Sequence, residues 1–239
     1  MKHSPILLAA AALLIFLPSC RFIKIGDQFK EQIESEGELV EASKDYVTRE
    51  EAPGEFRALR CNLPADVTYT PGDYALSFDG PDNILSHINV SNENGTLVIQ
   101  SDGARFRNAM HLKVSLSSPS LDEAEFNGAV DFQAPDGITA TDFNATVRGA
   151  GDIEISGLKA GKATLTVNGA GDTEVSDIDC ETLTVSINGA GDAVVSGRTG
   201  HAELSISGAG DIDAHRLRAR SHNSQVRGIG KIKEPQKSE

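Results

Sequence analysis

The sequence predicts an all-β fold, a right-handed parallel β-helix built from coils of about 20 residues. Three observations point there. A short phrase, Asn127-Gly128-Ala129-Val130-Asp131, returns as Arg148-Gly149-Ala150-Gly151-Asp152, Asn168-Gly169-Ala170-Gly171-Asp172, Asn188-Gly189-Ala190-Gly191-Asp192 and Ser207-Gly208-Ala209-Gly210-Asp211. A decayed copy, Arg227-Gly228-Ile229-Gly230-Lys231, follows, and the first glycines lie 21, 20, 20, 19 and 20 residues apart. Between the phrases apolar and polar residues alternate with period two, the mark of strands with one buried face, and no helical stripe interrupts them beyond residue 20. A propeller blade needs about twice this length, and leucine-rich repeats need a denser Leu pattern.

Each coil can be justified in turn. Leu165 and Val167 point inward before the Gly-Ala-Gly corner, and Val175 and Ile178 after it. One coil on, Leu183, Val185, Ile187 and Val195 take the equivalent places. Stacking at about 4.8 Å turns each position into a ladder. The column Ala129, Ala150, Ala170, Ala190 and Ala209 reads as a tight corner where two sheets meet, with flanking glycines supplying positive φ or close approach. Ahead of the repeats, Phe56, Leu59, Cys61 and Leu63 alternate, as do Val67 and Tyr69. Pro71-Gly72-Asp73 is a turn, and Asn94-Gly95 between Ile88–Val90 and Leu97–Ile99 is a hairpin signal.

The remaining segments set the address. Residues 1–19 read as a lipoprotein signal peptide: a basic start, an apolar run from Ile6 to Leu17 too short to span a bilayer, then Leu17-Pro18-Ser19-Cys20. The last resembles a bacterial lipobox, which implies cleavage before Cys20 and its lipidation. The mature chain is then held at the membrane through N-terminal lipid, and an outer-membrane location facing periplasm or surface is expected. Residues 20–45 read as an acidic, flexible tether, 46–233 as the β-helix domain and 234–239 as a charged tail that, with Pro235, blunts the last edge.

The chain has 22 Lys and Arg against 35 Asp and Glu, a net charge of −13, which argues against nucleic acid. Aromatics at 5% argue against a sugar-stacking cleft. With Cys20 acylated, Cys61 and Cys180 remain as a disulfide pair or as two separate buried thiols.

The repeated corners, behind an entry with Phe56 to Leu59 and Asp66 to Gly72, are similar to those of the putative auto-transporter adhesin, head GIN domain family. That resemblance implies an envelope protein of the kind found in Bacteroidetes, commonly a lipoprotein, and brings no catalytic residues.

Candidate chemistry is sparse. Asp131, Asp152, Asp172, Asp192 and Asp211 form a column that could ligate calcium or, alternatively, cap backbone N–H groups at the corner. Like charges so stacked repel by about 0.9 kcal/mol per pair in water, which an exposed ladder tolerates. Thr164 stacks on Thr184, and Thr166 on Ser186 and Ser205, beside Asn168, Asn188 and Ser207, a flat hydroxyl array suited to a glycan or a partner. The histidines His87, His111, His201, His215 and His222 make no column, and no cofactor motif is present. The expected role is therefore non-catalytic, an adhesin or interaction module whose partner is an envelope protein, a glycan or a copy of itself. The alternative is a polysaccharide lyase or hydrolase on the same scaffold.

Overall fold

The computed structural model describes residues 37–108 and 112–238. Its first half holds short strands: β1 (Leu39–Glu41), β2 (Tyr46–Glu51), β3 (Ala58–Asn62), β4 (Ala65–Pro71) and β5 (Ala75–Pro81). A single helical turn, α1 (Asp82–Leu85), precedes β6 (Ile88–Glu93), β7 (Thr96–Ser101), β8 (Arg105–Arg107) and β9 (Lys113–Ser118). Longer, bent strands follow: β10 (Glu123–Ala134), the two-residue β11 (Ile138–Thr139) and β12 (Asp142–Ala150). Then come β13 (Ile153–Ala170), β14 (Thr173–Ala190), β15 (Ala193–Ala209) and β16 (Ile212–Ile229), and the short β17 (Ile232–Lys233) and β18 (Gln236–Lys237) close the chain.

Consecutive coils pair in parallel and in register. Leu165 lies on Val185 and Val167 on Ile187, and these in turn lie on Leu204 and Ile206. The result is a β-solenoid of about 6 turns. Every one of these six side chains is buried, so each column is a continuous strip of core. At about 1.5–3 kcal/mol per buried aliphatic side chain, stacking is the main stabilising term. The 19-residue interval has a local cause: β14 carries an extra residue between Val175 and Ile178, where Asp177 has φ 51°.

The glycines of the corner are required by the stacking. At Gly169 φ is 147°, and a Cβ there would lie 2.0 Å from the carbonyl oxygen of Gly149 in the coil before. The alanine between the glycines is a different matter. Ala150, Ala170, Ala190 and Ala209 are exposed, so the column does not fill a junction between two sheets as the sequence suggests. The positive φ of the glycines on either side swings the alanine methyl outward.

The N-terminal end is finished differently. β7 and β9 stack in parallel on β3 and β4, and antiparallel strands then cover them: β6 on β7, β5 on β9, β2 on β5. Asn94 (φ 55°) and Gly95 (φ 85°) make the expected two-residue hairpin turn. Both flanking segments carry a short strand. Within the stretch expected as a tether, 20–45, Leu39–Glu41 pair in parallel with Arg105–Arg107 and bury Val40. Within the charged tail at 234–239, Gln236–Lys237 pair with Arg218–Ala219 and Pro235 is buried. Both strands are too short to show an alternation in sequence.

The core runs unbroken along the axis, with Phe126 and Phe132 in contact at 4.9 Å between ring centroids. It contains one misfit. Thr173 occupies the column of Ile153, Ala193 and Ile212, is 2% exposed, and its hydroxyl has no partner among the described residues. Thr173→Val keeps the shape and removes the unpaired hydroxyl, so a gain of about 1 kcal/mol in urea unfolding is expected. A loss of stability would show that the hydroxyl is satisfied.

Candidate binding surface

The residues that precede each corner build one outer face. Thr146, Thr166, Ser186, Ser205 and Gln225 form one file across five coils, and Thr164, Thr184, Glu203 and Asn223 another. Arg148, Asn168, Asn188, Ser207 and Arg227 form a third. The files are internally bonded: Ser205 Oγ donates to Ser186 Oγ at 2.9 Å, and Asn188 Nδ2 donates to Asn168 Oδ1 at 2.9 Å. The expected hydroxyl array is thus brought together. At its N-terminal margin Glu125 lies between Arg60 (3.4 Å) and Arg148 and also accepts from Asn127 Nδ2 at 3.1 Å. Burial pushes its carboxyl up, but Asn127 and the two guanidinium groups outweigh that and leave it below the usual carboxylate range.

The aspartate column is also in place, and its geometry is specific. Asp152 Oδ1 accepts the backbone N–H of Asp172 at 2.8 Å, Asp172 that of Asp192 at 2.8 Å, and Asp192 that of Asp211 at 2.7 Å. Asp131 begins the series on Asp152 at 3.2 Å, and Asp211 ends it on Lys231 at 2.9 Å. Each carboxylate thus caps an amide of the following coil. Among the described residues no group of three or more His, Cys, Asp or Glu is arranged to hold a metal ion.

The exposed alanines and the aspartates share a groove of about 610 Å³, floored by Ala129, Ala150, Ala170 and the backbone of Gly151 and Gly171. Phe106 and Asn108 form one wall, and Asp131 and Asp152 line it too. Sequence reasoning missed this wall, because the strand bearing Phe106 is three residues long and its pairing with Leu39–Glu41 is remote in sequence.

The other candidate residues do not converge. Of the two alternatives for Cys61 and Cys180, the structure has the second, separate buried thiols. The column of Cys61 runs through Phe126, Val147 and Val167 to Ile187, four coil steps that amount to about 19 Å, and Cys180 stacks in a separate column with Ala160 and Thr199. A bridge needs Cα atoms within about 7 Å. Burial pushes the Cys61 thiol up to about 11. His87 pairs with Asp102 at 3.0 Å, His201 with Ser221 at 2.8 Å, and His222 with Glu234 at 3.3 Å. His215 bonds Asp213, whose carboxyl is held well below the usual range by Lys233 and His215. Cys20 and His111 lie outside the described residues. Among the described residues no helix is long and apolar enough to cross a membrane.

Residues 55–176 and 146–234 match the sequence model of a family described as putative auto-transporter adhesin, head GIN domain. A putative adhesin from Bacteroides fragilis has a similar structure, with 22% identity and a TM-score of 0.68 over 81% of this chain and 98% of that one. A putative lipid binding protein from Parabacteroides distasonis, 19% identical, gives a TM-score of 0.73 over 82% of this chain and 100% of that one. A putative adhesin from Parabacteroides merdae, 16% identical, gives 0.50 over 83% and 100%. No curated protein matches the chain.

Proposed function

Because the chain belongs to the family described as putative auto-transporter adhesin, head GIN domain, we propose that it is a non-catalytic binding protein of the cell envelope. The cysteine at position 20 carries the lipid that holds it at the outer membrane, and the solenoid presents a rigid face to a glycan or an envelope protein. The observation that carries this reading is the register of that face: Thr164 on Thr184, Thr166 on Ser186 and Ser205, and Asn168 on Asn188 and Ser207 on successive coils. Such an array offers donors and acceptors at a repeat of about 4.8 Å, which suits an extended polar ligand with a repeat of its own. The carboxylates beside the groove are engaged by backbone amides, which favours binding over acid–base work.

The test is a glycan array and a cell-adhesion assay with the full chain, wild type against Thr166→Arg/Ser186→Arg. Both positions point outward, so the fold is expected to persist. Binding that falls at least about tenfold, worth about 1.4 kcal/mol, supports the assignment. Undiminished binding places the contact elsewhere, and turnover of any arrayed polysaccharide makes the chain an enzyme.

A further inference from the structure

The two ends of the solenoid are unlike. At the C-terminal end the outer edge of β16 is met by β17 at Ile212–Asp213 and by β18 at Arg218–Ala219, and among the described residues the backbone of His222–Ile229 pairs only with the preceding coil, with the Glu234 carboxylate held by the side chains of His222 and Ser224. This leaves about eight residues of backbone with an unpaired edge, a template for another strand. Val226 and Ile229 are 40% and 81% exposed there. At the N-terminal end the same sheet finishes in β6, whose outer edge meets no further strand among the described residues in the pairing order β6–β7–β3–β10; there Arg49 donates to the Ile88 carbonyl at 3.2 Å, and Asn92 Nδ2 donates to the Pro53 and Glu55 carbonyls at 2.9 Å. The neighbouring stretch of sheet finishes in β2 at one end and β17 at the other.

Charge distinguishes the poles further. Residues 212–239 hold seven Lys and Arg against three Asp and Glu, in a chain whose net charge is −13. Arg216, Arg218 and Arg227 make no ion pair among the described residues. The opposite pole carries Glu50 on β2, Glu93 on β6, and Glu55 between β2 and β3, all exposed.

We propose that the C-terminal pole docks the N-terminal pole of a second copy of this chain, so that copies stack head to tail. β6 of one copy then lies on β16 of the next, and the sheet and the core columns continue across the junction. β6 runs opposite to the coil strands, so that pairing is antiparallel. The basic pole meets the acidic one, which steers the encounter and rejects like ends. The contact is heterologous and does not close, so the product is an open stack of increasing length. The junction shares Arg227 with the outer face read for the ligand, whose other files run along the side of the stack.

The experiment uses the full chain with Cys20→Ser, so that acylation cannot drive association. Sedimentation velocity is run at about 20 mM and about 0.5 M salt, where screening lengths differ several-fold. At low salt, mass rises with concentration through a series of open-ended species; at high salt it falls to the monomer. Arg218→Glu/Arg227→Glu and Glu50→Lys/Glu93→Lys each remain monomeric with unchanged thermal melting, and mixing the two restores assembly because their altered poles are again complementary. Monomers at all concentrations, a single closed dimer, or assembly indifferent to both double variants would overturn the proposal. So would binding of phosphatidylglycerol vesicles that Arg218→Glu/Arg227→Glu abolishes while no self-association is seen, since the basic pole would then serve an anionic surface.

Discussion

Gly189→Ala is expected to destabilise the domain by about 3–6 kcal/mol, enough to abolish folding of a marginally stable protein. Two costs add at that position. The backbone has φ 143°, which L side chains rarely adopt, and the new Cβ would lie 2.0 Å from the Gly169 carbonyl oxygen and 2.9 Å from its carbon. The contact is with backbone of the adjacent coil, so no rotamer change relieves it. Its neighbour supplies the control. Ala190 is exposed, and Ala190→Ser is expected to change stability by no more than about 0.5 kcal/mol. Urea unfolding followed by circular dichroism compares the two. If both variants unfold at the wild-type midpoint, coil stacking at the corner is looser than the geometry requires.

Phe126→Ala is the largest expected loss in the core, about 3–5 kcal/mol. The ring is fully buried between Cys61 in the coil before and Val147 in the coil after, and touches Phe132 across the interior. Its removal leaves a void that strands on two sides cannot close without losing register with their neighbours. A shift of the urea midpoint at constant slope gives the value. A cost below about 1 kcal/mol would mean that the first coils collapse into the space.

The repeated half of the fold was legible because identical corners at a near-constant interval leave few architectures, and because alternation assigns Leu165, Val167 and their successors to the core. The flat file of Thr166, Ser186 and Ser205 followed from the same register, as did the alternative role of the aspartates as corner caps. The direction of the alanines was not legible. A small residue between glycines is compatible with a crowded interior or with an outward methyl, and only the backbone angles separate the two. The groove wall at Phe106 was hidden for another reason: it depends on β1 and β8, three residues each, brought together by pairing remote in sequence. The pairing of β2, β5 and β9 was equally hidden, because β5 and β9 alternate just as the coil strands do and β2 buries no side chain that would mark a face.

The corner aspartates have a consequence for how the chain can vary. Each carboxylate serves the coil that follows, and that coil supplies the same service in turn, so the corner bond is the same from one central unit to the next. Duplicating or deleting one twenty-residue unit between Asp152 and Asp211 leaves both finished ends untouched and alters the reach of the molecule by about 4.8 Å. Length is therefore a trait that gene-level copying can adjust stepwise, while the chemistry at each tip is inherited intact.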